Sequence, residues 1–200
     1  MYIQAHKYKP QLKRIELIKI DKDLIQSNAF SYLLEKAELL TFKKGDIVAE
    51  AGKICKYLFL VKTGLLRNFY YDLKGNDITH WFANEDMFAT IPPSFFNREE
   101  SFFHMEAIED TQVLAFTYDN LEYAFEQSRA IERFGRILIT QIMITLGRKV
   151  VDLQTKSAEK RYEELIDNHP DIFRRANLGH IASYLGITQQ SLSRIRSIAK

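Results

Sequence analysis

Cysteine is nearly absent from this 200-residue chain: Cys55 stands alone. One cysteine builds no disulfide framework and holds neither an iron–sulfur cluster nor a cysteine-ligated zinc, and it suits a reducing cytoplasm. Long apolar runs are missing as well. No stretch reaches the roughly 18 apolar residues of a membrane span, and the opening "MYIQAHKYKP" lacks the apolar centre of an export signal. There is no glycine-rich phosphate loop ahead of a helix, no nucleophile elbow and no arguable pair of catalytic carboxylates. The histidines, His6, His80, His104, His169 and His180, are scattered, with no two at the spacing by which a cupin-type barrel holds a metal. The expectation is therefore no enzyme and no resident metal, with a cupin-type metalloenzyme as the rival class.

Acidic residues also run out towards the end. Asp171 is the last of them, and the 29 residues that follow carry five positive charges: Arg174, Arg175, Arg194, Arg196 and Lys200. Such a terminus favours a polyanionic partner, unless it is a solvated basic tail.

What is present changes period along the chain. Leu12, Ile15, Leu17, Ile18, Tyr32, Leu33 and Leu34 give residues 10–40 a helical pattern. Short β-branched and aromatic runs follow ("TFKKGDIVAEAGK", "YLFLVKTGLLRNFYYD", "DITHWFA", "TQVLAFT"), punctuated by Gly45, Gly52, Gly64 and the turn "DLKGND". Strands at such spacing imply an antiparallel sandwich or barrel. "IPPSFFNREES" reads as a loop near residues 91–101.

From Tyr118 the period is helical again. A short helix at 119–127 leads into a long one at about 129–156, where Ile131, Phe134, Leu138, Ile142, Leu146 and Val150 form an apolar stripe flanked by Arg133, Arg136, Arg148 and Lys149. A stripe of that length suits a helix paired with another helix, its own copy included; the alternative is a helix lying on its own sheet. Ser157 can cap a further helix that Pro170 ends. The fold class is α+β. Residues 1–155 form the sandwich or barrel with its long helix, residues 156–200 form a second domain, and the boundary lies at 154–158.

"LGHIASYLGITQQSLSRIR" then meets every demand of a helix-turn-helix. Ile181 and Leu185 face inward, Ala182 permits close approach, and Gly186 suits the turn. Ile187 follows into the core, Thr188 caps the second helix, and Leu192 and Ile195 face inward again. A packing hairpin could fill the same slots. Its outer face, however, would need no acid-free set such as Gln189, Gln190, Ser193, Arg194 and Ser197. Arginine pairs with guanine and glutamine with adenine in the major groove, so this set points to double-stranded DNA.

With a β-roll carrying "KKGDIVAEAGK" and Gly64, a long linking helix and a terminal helix-turn-helix in that order, residues 25–200 resemble the Crp/Fnr family of transcription regulators. The resemblance implies a homodimer joined along the long helix through Ile131, Phe134, Leu138, Ile142 and Leu146. It also implies a palindromic operator with half-sites about 34 Å apart, cytoplasmic action, and RNA polymerase as a further partner. By residue match, Gln189, Gln190 and Arg194 read bases, while Thr188 and Ser191 lie near phosphate. Arg174, Arg175, His180 and Arg196 are further phosphate candidates, or else a solvated rim.

The resemblance also has departures. Where cyclic-AMP binders carry Gly-Glu and Arg-Ser pairs for ribose and phosphate, this chain has Ala89 and Thr90, then Ser101 and Phe102, with Arg98 displaced by three residues. A cyclic phosphate without its arginine loses a charge-assisted contact, so cyclic AMP is not expected to bind in the usual way. A different effector would meet Phe88, Ala89, Thr90, Ser101 and Phe102, most of which an aromatic-rich core explains better. His80 and His104 are nominal haem ligands, but histidines in strands are more commonly packed or surface residues. The remaining rival is a sensor that acts through a protein partner.

Overall fold

In a computed structural model, residues 28–198 are described. The helical pattern at Leu12, Ile15, Leu17 and Ile18, together with Lys200, lies outside them. Helix α1 (Asn28–Lys36) precedes eight strands: β1 (Glu38–Phe42), β2 (Ile47–Ala49), β3 (Tyr57–Thr63), β4 (Leu66–Tyr71), β5 (Asp77–Ala83), β6 (Phe88–Ala89), β7 (His104–Ala107) and β8 (Thr111–Thr117). They form two four-stranded antiparallel sheets, ordered β1–β8–β3–β6 and β2–β7–β4–β5.

Alternation along the strands decides what fills the space between the sheets. Phe59 and Val61 of β3, Leu66 of β4, Met105 and Ala107 of β7, and Val113 and Ala115 of β8 turn inward and are almost fully buried. The β4–β5 connection is the turn expected at "DLKGND". The Asp72 carboxylate accepts from the backbone N–H groups of Lys74 and Asn76 at 2.8 and 2.9 Å, and Gly75 takes the left-handed conformation.

The stretch read as a loop at 91–101 contains a short helix, α2 (Pro92–Asn97). Its two prolines occupy the first helical positions, where the missing N–H costs nothing, and fully buried Phe95 pins it. The Ser94 hydroxyl accepts from the Cys55 N–H at 2.7 Å and donates to the Glu99 carbonyl at 2.6 Å.

After the strands, each longer helix begins at a hydroxyl cap. Thr117 caps α3 (Tyr118–Gln127), Ser128 caps the 27-residue α4 (Arg129–Thr155), and Ser157 caps α5 (Ala158–Asn168). Pro170 ends α5 as expected and also opens α6 (Pro170–Arg175), followed by α7 (Leu178–Tyr184) and α8 (Gln189–Ile198).

The apolar stripe expected on α4 resolves into two faces. Ile131 is buried against its own subunit and Phe134 packs on Phe88 of β6, ring centroids 6.0 Å apart. Ile131 is therefore a core residue of the protomer, and Phe134 is half-buried against that core. Leu138, Ile142 and Leu146 are half-buried. Of the exposed apolar residues, Ile139, Met143, Val150 and Leu153 form one line, which Leu146 completes, while Ile144 and Val151 lie off it. Its alternating four-and-three spacing is the seam pattern of a two-helix contact. At 3.6 residues per turn the seam lies roughly a quarter-turn from the buried face.

Helices α5–α8 do not stand apart from the β-roll. Tyr162, Leu165, Ile172, Ile181, Leu185, Leu192 and Ile195 share one core with Leu65, Phe82 and Ile108. The chief contact is α7 lying across β5.

Candidate nucleic-acid interface

The turn between α7 and α8 is built as its sequence demands. Asn177 caps α7, its side-chain oxygen accepting from the His180 N–H at 2.8 Å. Gly186, in the left-handed conformation, lets the Ile187 N–H return to the Ala182 carbonyl at 3.0 Å, which closes the helix end. The Thr188 hydroxyl then accepts from the Ser191 N–H at 3.1 Å and starts α8. Ile181, Ala182, Leu185, Leu192 and Ile195 are buried between the two helices.

On the opposite side of α8, Gln189, Gln190, Ser193, Arg194 and Ser197 are all exposed, as are Thr188 and Arg196; Ser191 is half-buried. The face is acid-free in sequence but not wholly so in space. Glu159 of α5, whose carboxyl is held below its usual range chiefly by a hydrogen bond from its own backbone N–H, also senses Arg194.

The flanking cations divide. Arg174 is exposed and pairs with Asp171 one turn earlier. Arg175 turns the other way. Its Nη1 and Nη2 donate to the two carboxylate oxygens of Glu85, both at 2.8 Å, and its Nε and Nη2 donate to one oxygen of Glu109 at 3.0 and 2.5 Å. In this arrangement Arg175 faces the β-roll, so its guanidinium is already taken by carboxylates where a phosphate contact is expected.

His180 is half-buried. Its Nδ1 is buried and has no hydrogen-bond partner among the described residues, and its Nε2 lies 3.0 Å from the Asn177 amide nitrogen. Burial, then the nearby Arg67, pushes its pKa down. Arg67 is itself buried on β4, held between Asp77 of β5 and Glu106 of β7, and stacked 4.0 Å from the Phe69 ring.

Further contacts fasten α7 to β5. The Thr79 N–H donates to the Ser183 hydroxyl at 3.0 Å, and Phe82 meets Tyr184 with ring centroids 5.3 Å apart. Lys149 of α4 joins all three parts of the molecule. Its ammonium donates to the His80 carbonyl at 2.7 Å and sits 3.7 Å from the Tyr184 ring centroid. With no carboxylate among these contacts, burial pulls its pKa from 10.5 down to about 7.

A base depressed in this way binds fewer protons folded than unfolded between about pH 7 and 10.5, so stability rises with pH across that window. Urea unfolding from pH 7 to pH 9 is expected to show a gain of up to about 1.4 kcal/mol per pH unit from this group. Lys149→Met should abolish that gain; parallel profiles for the two proteins would show that Lys149 does not titrate in the fold.

None of the residues expected to meet an effector offers a free polar group towards a common site. Ala89 and Ser101 are buried. The Thr90 hydroxyl donates to the Tyr57 carbonyl at 3.0 Å, its carbonyl accepts from Asn68 at 2.9 Å, and the Ser101 hydroxyl donates to the Phe103 carbonyl at 2.6 Å. Phe88 belongs to the α4 contact, whereas Phe102 is exposed and packs on Tyr70 and Phe103. Arg98 lies over the Tyr118 ring, beside a depression of about 240 Å³ that it lines with Lys56, Tyr57, Thr117 and Asp119. His80 and His104 are engaged by aromatic rings, His80 with Phe103 and His104 with Phe69 and Tyr71. Among the described residues no three His, Cys, Asp or Glu side chains are grouped to hold a metal ion, and no helix is long and apolar enough to cross a membrane.

Residues 39–128 match the family model of the cyclic nucleotide-binding domain. No curated protein matches the chain. Among solved structures, one is described as a transcriptional regulator of the Crp/Fnr family from Eubacterium rectale. It is 18% identical with a TM-score of 0.71, covering 90% of this chain and 86% of that one. FixK2 of Bradyrhizobium japonicum is 20% identical with a TM-score of 0.69, over 81% of this chain and 83% of its own. The catabolite activator protein of Thermus thermophilus is 18% identical with a TM-score of 0.53, over 85% and 79%.

Proposed function

We propose that this chain, which has the fold of the Crp/Fnr transcription regulators and carries a cyclic nucleotide-binding domain over residues 39–128, is a sequence-specific DNA-binding regulator acting as a homodimer on a palindromic site. The single observation that carries this is the split character of α8. Leu192 and Ile195 are buried, while Gln189, Gln190, Ser193 and Arg194 stand exposed on the other side. That spacing presents hydrogen-bonding side chains to base edges from the first turns of a helix that can enter the major groove. Thr188, Ser191, Arg174 and Arg196 flank them and would meet phosphate, which fixes register without reading sequence.

Residues 156–200 act in this scheme as the DNA-binding domain and residues 1–155 as the sensor. The seam Ile139, Met143, Leu146, Val150 and Leu153 would join two copies. Any effector differs from cyclic AMP, since Ala89, Thr90, Ser101 and Phe102 supply neither the acid for a ribose nor the cation for a cyclic phosphate.

Replacing Arg194 by alanine is expected to weaken operator binding by about 1–3 kcal/mol per half-site and to relax base choice at one position. Binding measured across a set of single-base operator variants separates the outcomes. An equal loss on every sequence would make Arg194 a backbone contact, and no loss would remove it from the interface.

A further inference from the structure

Given the DNA-reading role of α8, on which this inference rests, we propose that Glu85 and Glu109 are an internal stand-in for DNA phosphate: they hold Arg175 against the β-roll, and a duplex must win Arg175 from them. Three features point this way. The first is the shape of the contact. Both terminal nitrogens of the guanidinium meet the two oxygens of Glu85, and its remaining edge meets Glu109. Arginine engages carboxylate and phosphate through this same planar fork, and with both edges already taken by carboxylates a phosphate must displace one of them.

The second is that Glu85 is prepared for the task. A backbone N–H, from Gly64, donates to one of its oxygens at 2.8 Å, and the Arg175 hydrogen bonds hold its carboxyl down to about 2. It is therefore an anion at every physiological pH. Glu109 lies in the β7–β8 connection and Glu85 in the β5–β6 connection, so two loops of the β-roll converge on one side chain of the C-terminal segment.

The third is the place of Arg175 in the chain. It ends α6, two residues before Asn177, the cap of the first helix of the DNA-reading pair. The remaining contacts of that pair with β5, Thr79 with Ser183 and Phe82 with Tyr184, are uncharged. Among the described residues the Arg175 clamp is thus the direct ion pairing between the α6–α8 segment and the β-roll, and the contact with which a polyanion competes.

The test compares the full-length chain with E85Q/E109Q and with E85Q/E109Q/R175M, binding the duplex selected by the wild type from a random pool, over a series of salt concentrations. Freeing one cation per subunit should tighten binding about tenfold per half-site. It should also steepen the fall of log affinity with log salt by about 0.9 per subunit. Both gains should vanish in the triple variant.

A double variant with wild-type affinity and salt slope would overturn the clamp. So would a triple variant that keeps the gain, because release of the domain alone would then explain it. Trp81, the single tryptophan, lies on β5 and packs against the core between the two sheets, and its fluorescence checks that each variant is folded; E109Q alone, expected to show a smaller gain, serves if the double variant is not. If the wild type itself binds nothing from the pool at low salt, the DNA-reading role falls first and takes the clamp with it. Wild-type binding with an unchanged double variant sinks the clamp alone.

Discussion

Met143→Glu is expected to leave a folded monomer that no longer holds a palindromic duplex. Met143 is the second position of the apolar line Ile139, Met143, Leu146, Val150 and Leu153, and is 65% exposed in the protomer. Pairing two copies along that line would bury the position on both helices. A glutamate there would place two carboxylates in a desolvated contact, where an unpaired charge costs several kcal/mol. The protomer itself should barely notice. Surface substitutions away from packed features usually change stability by less than about 0.5 kcal/mol.

Analytical ultracentrifugation is expected to show a dimer for the wild type and a monomer for the variant at the same micromolar concentration. Affinity for the two-half-site duplex should fall by at least about a hundredfold, since each half-site is then bound alone. A variant that stays dimeric would place the subunit contact away from α4.

The second large effect is expected at Gly64, in the β3–β4 turn. Its φ is +103°, and a Cβ built there would stand 2.3 Å from the Thr111 hydroxyl and 2.6 Å from the Thr111 Cα. The hydroxyl could rotate away, but the backbone atom cannot, because Thr111 is fully buried where β8 begins. Gly64→Ala should therefore cost about 3 kcal/mol or more in urea unfolding, combining a forbidden backbone region with a clash that shifts a strand. The same shift displaces the N–H that holds Glu85. A loss below about 1 kcal/mol would mean that the turn relaxes freely.

Much of this molecule was legible in its sequence because the signals are local. Ser157 caps a helix that begins one residue later, Asp72 closes its own turn, and the α7–α8 pair announces itself through Ala182, Gly186, Thr188 and Leu192. Periodicity on α4 announced a long amphipathic helix but not which of its sides meets its own sheet. Ile131 and Ile139 are both apolar, and only the fold separates a core position from a free one.

Least legible were the contacts between distant segments. Arg175 and Glu85 are 90 residues apart, Thr79 and Ser183 are 104 apart, and Lys149 reaches His80 across 69. No pattern in a single chain pairs these residues. Arg175 looked like the other cations of the terminus until two carboxylates from the β-roll were seen to close on it. Arg98 likewise looked like a displaced phosphate ligand, and instead caps α2 and lies over Tyr118. The α2 helix itself was hidden because a pair of prolines signals a loop and a helix start equally well.

The most direct test of the central claim is a salt titration of the full-length chain on duplexes selected by it from a random pool. The predicted outcome is enrichment of a palindrome with half-sites one helical turn, about 34 Å, apart. Affinity for it should drop steeply and linearly in log salt as phosphate contacts are screened. Absence of any enriched sequence at low salt, or a binding constant indifferent to salt, would contradict a DNA-reading role for α8.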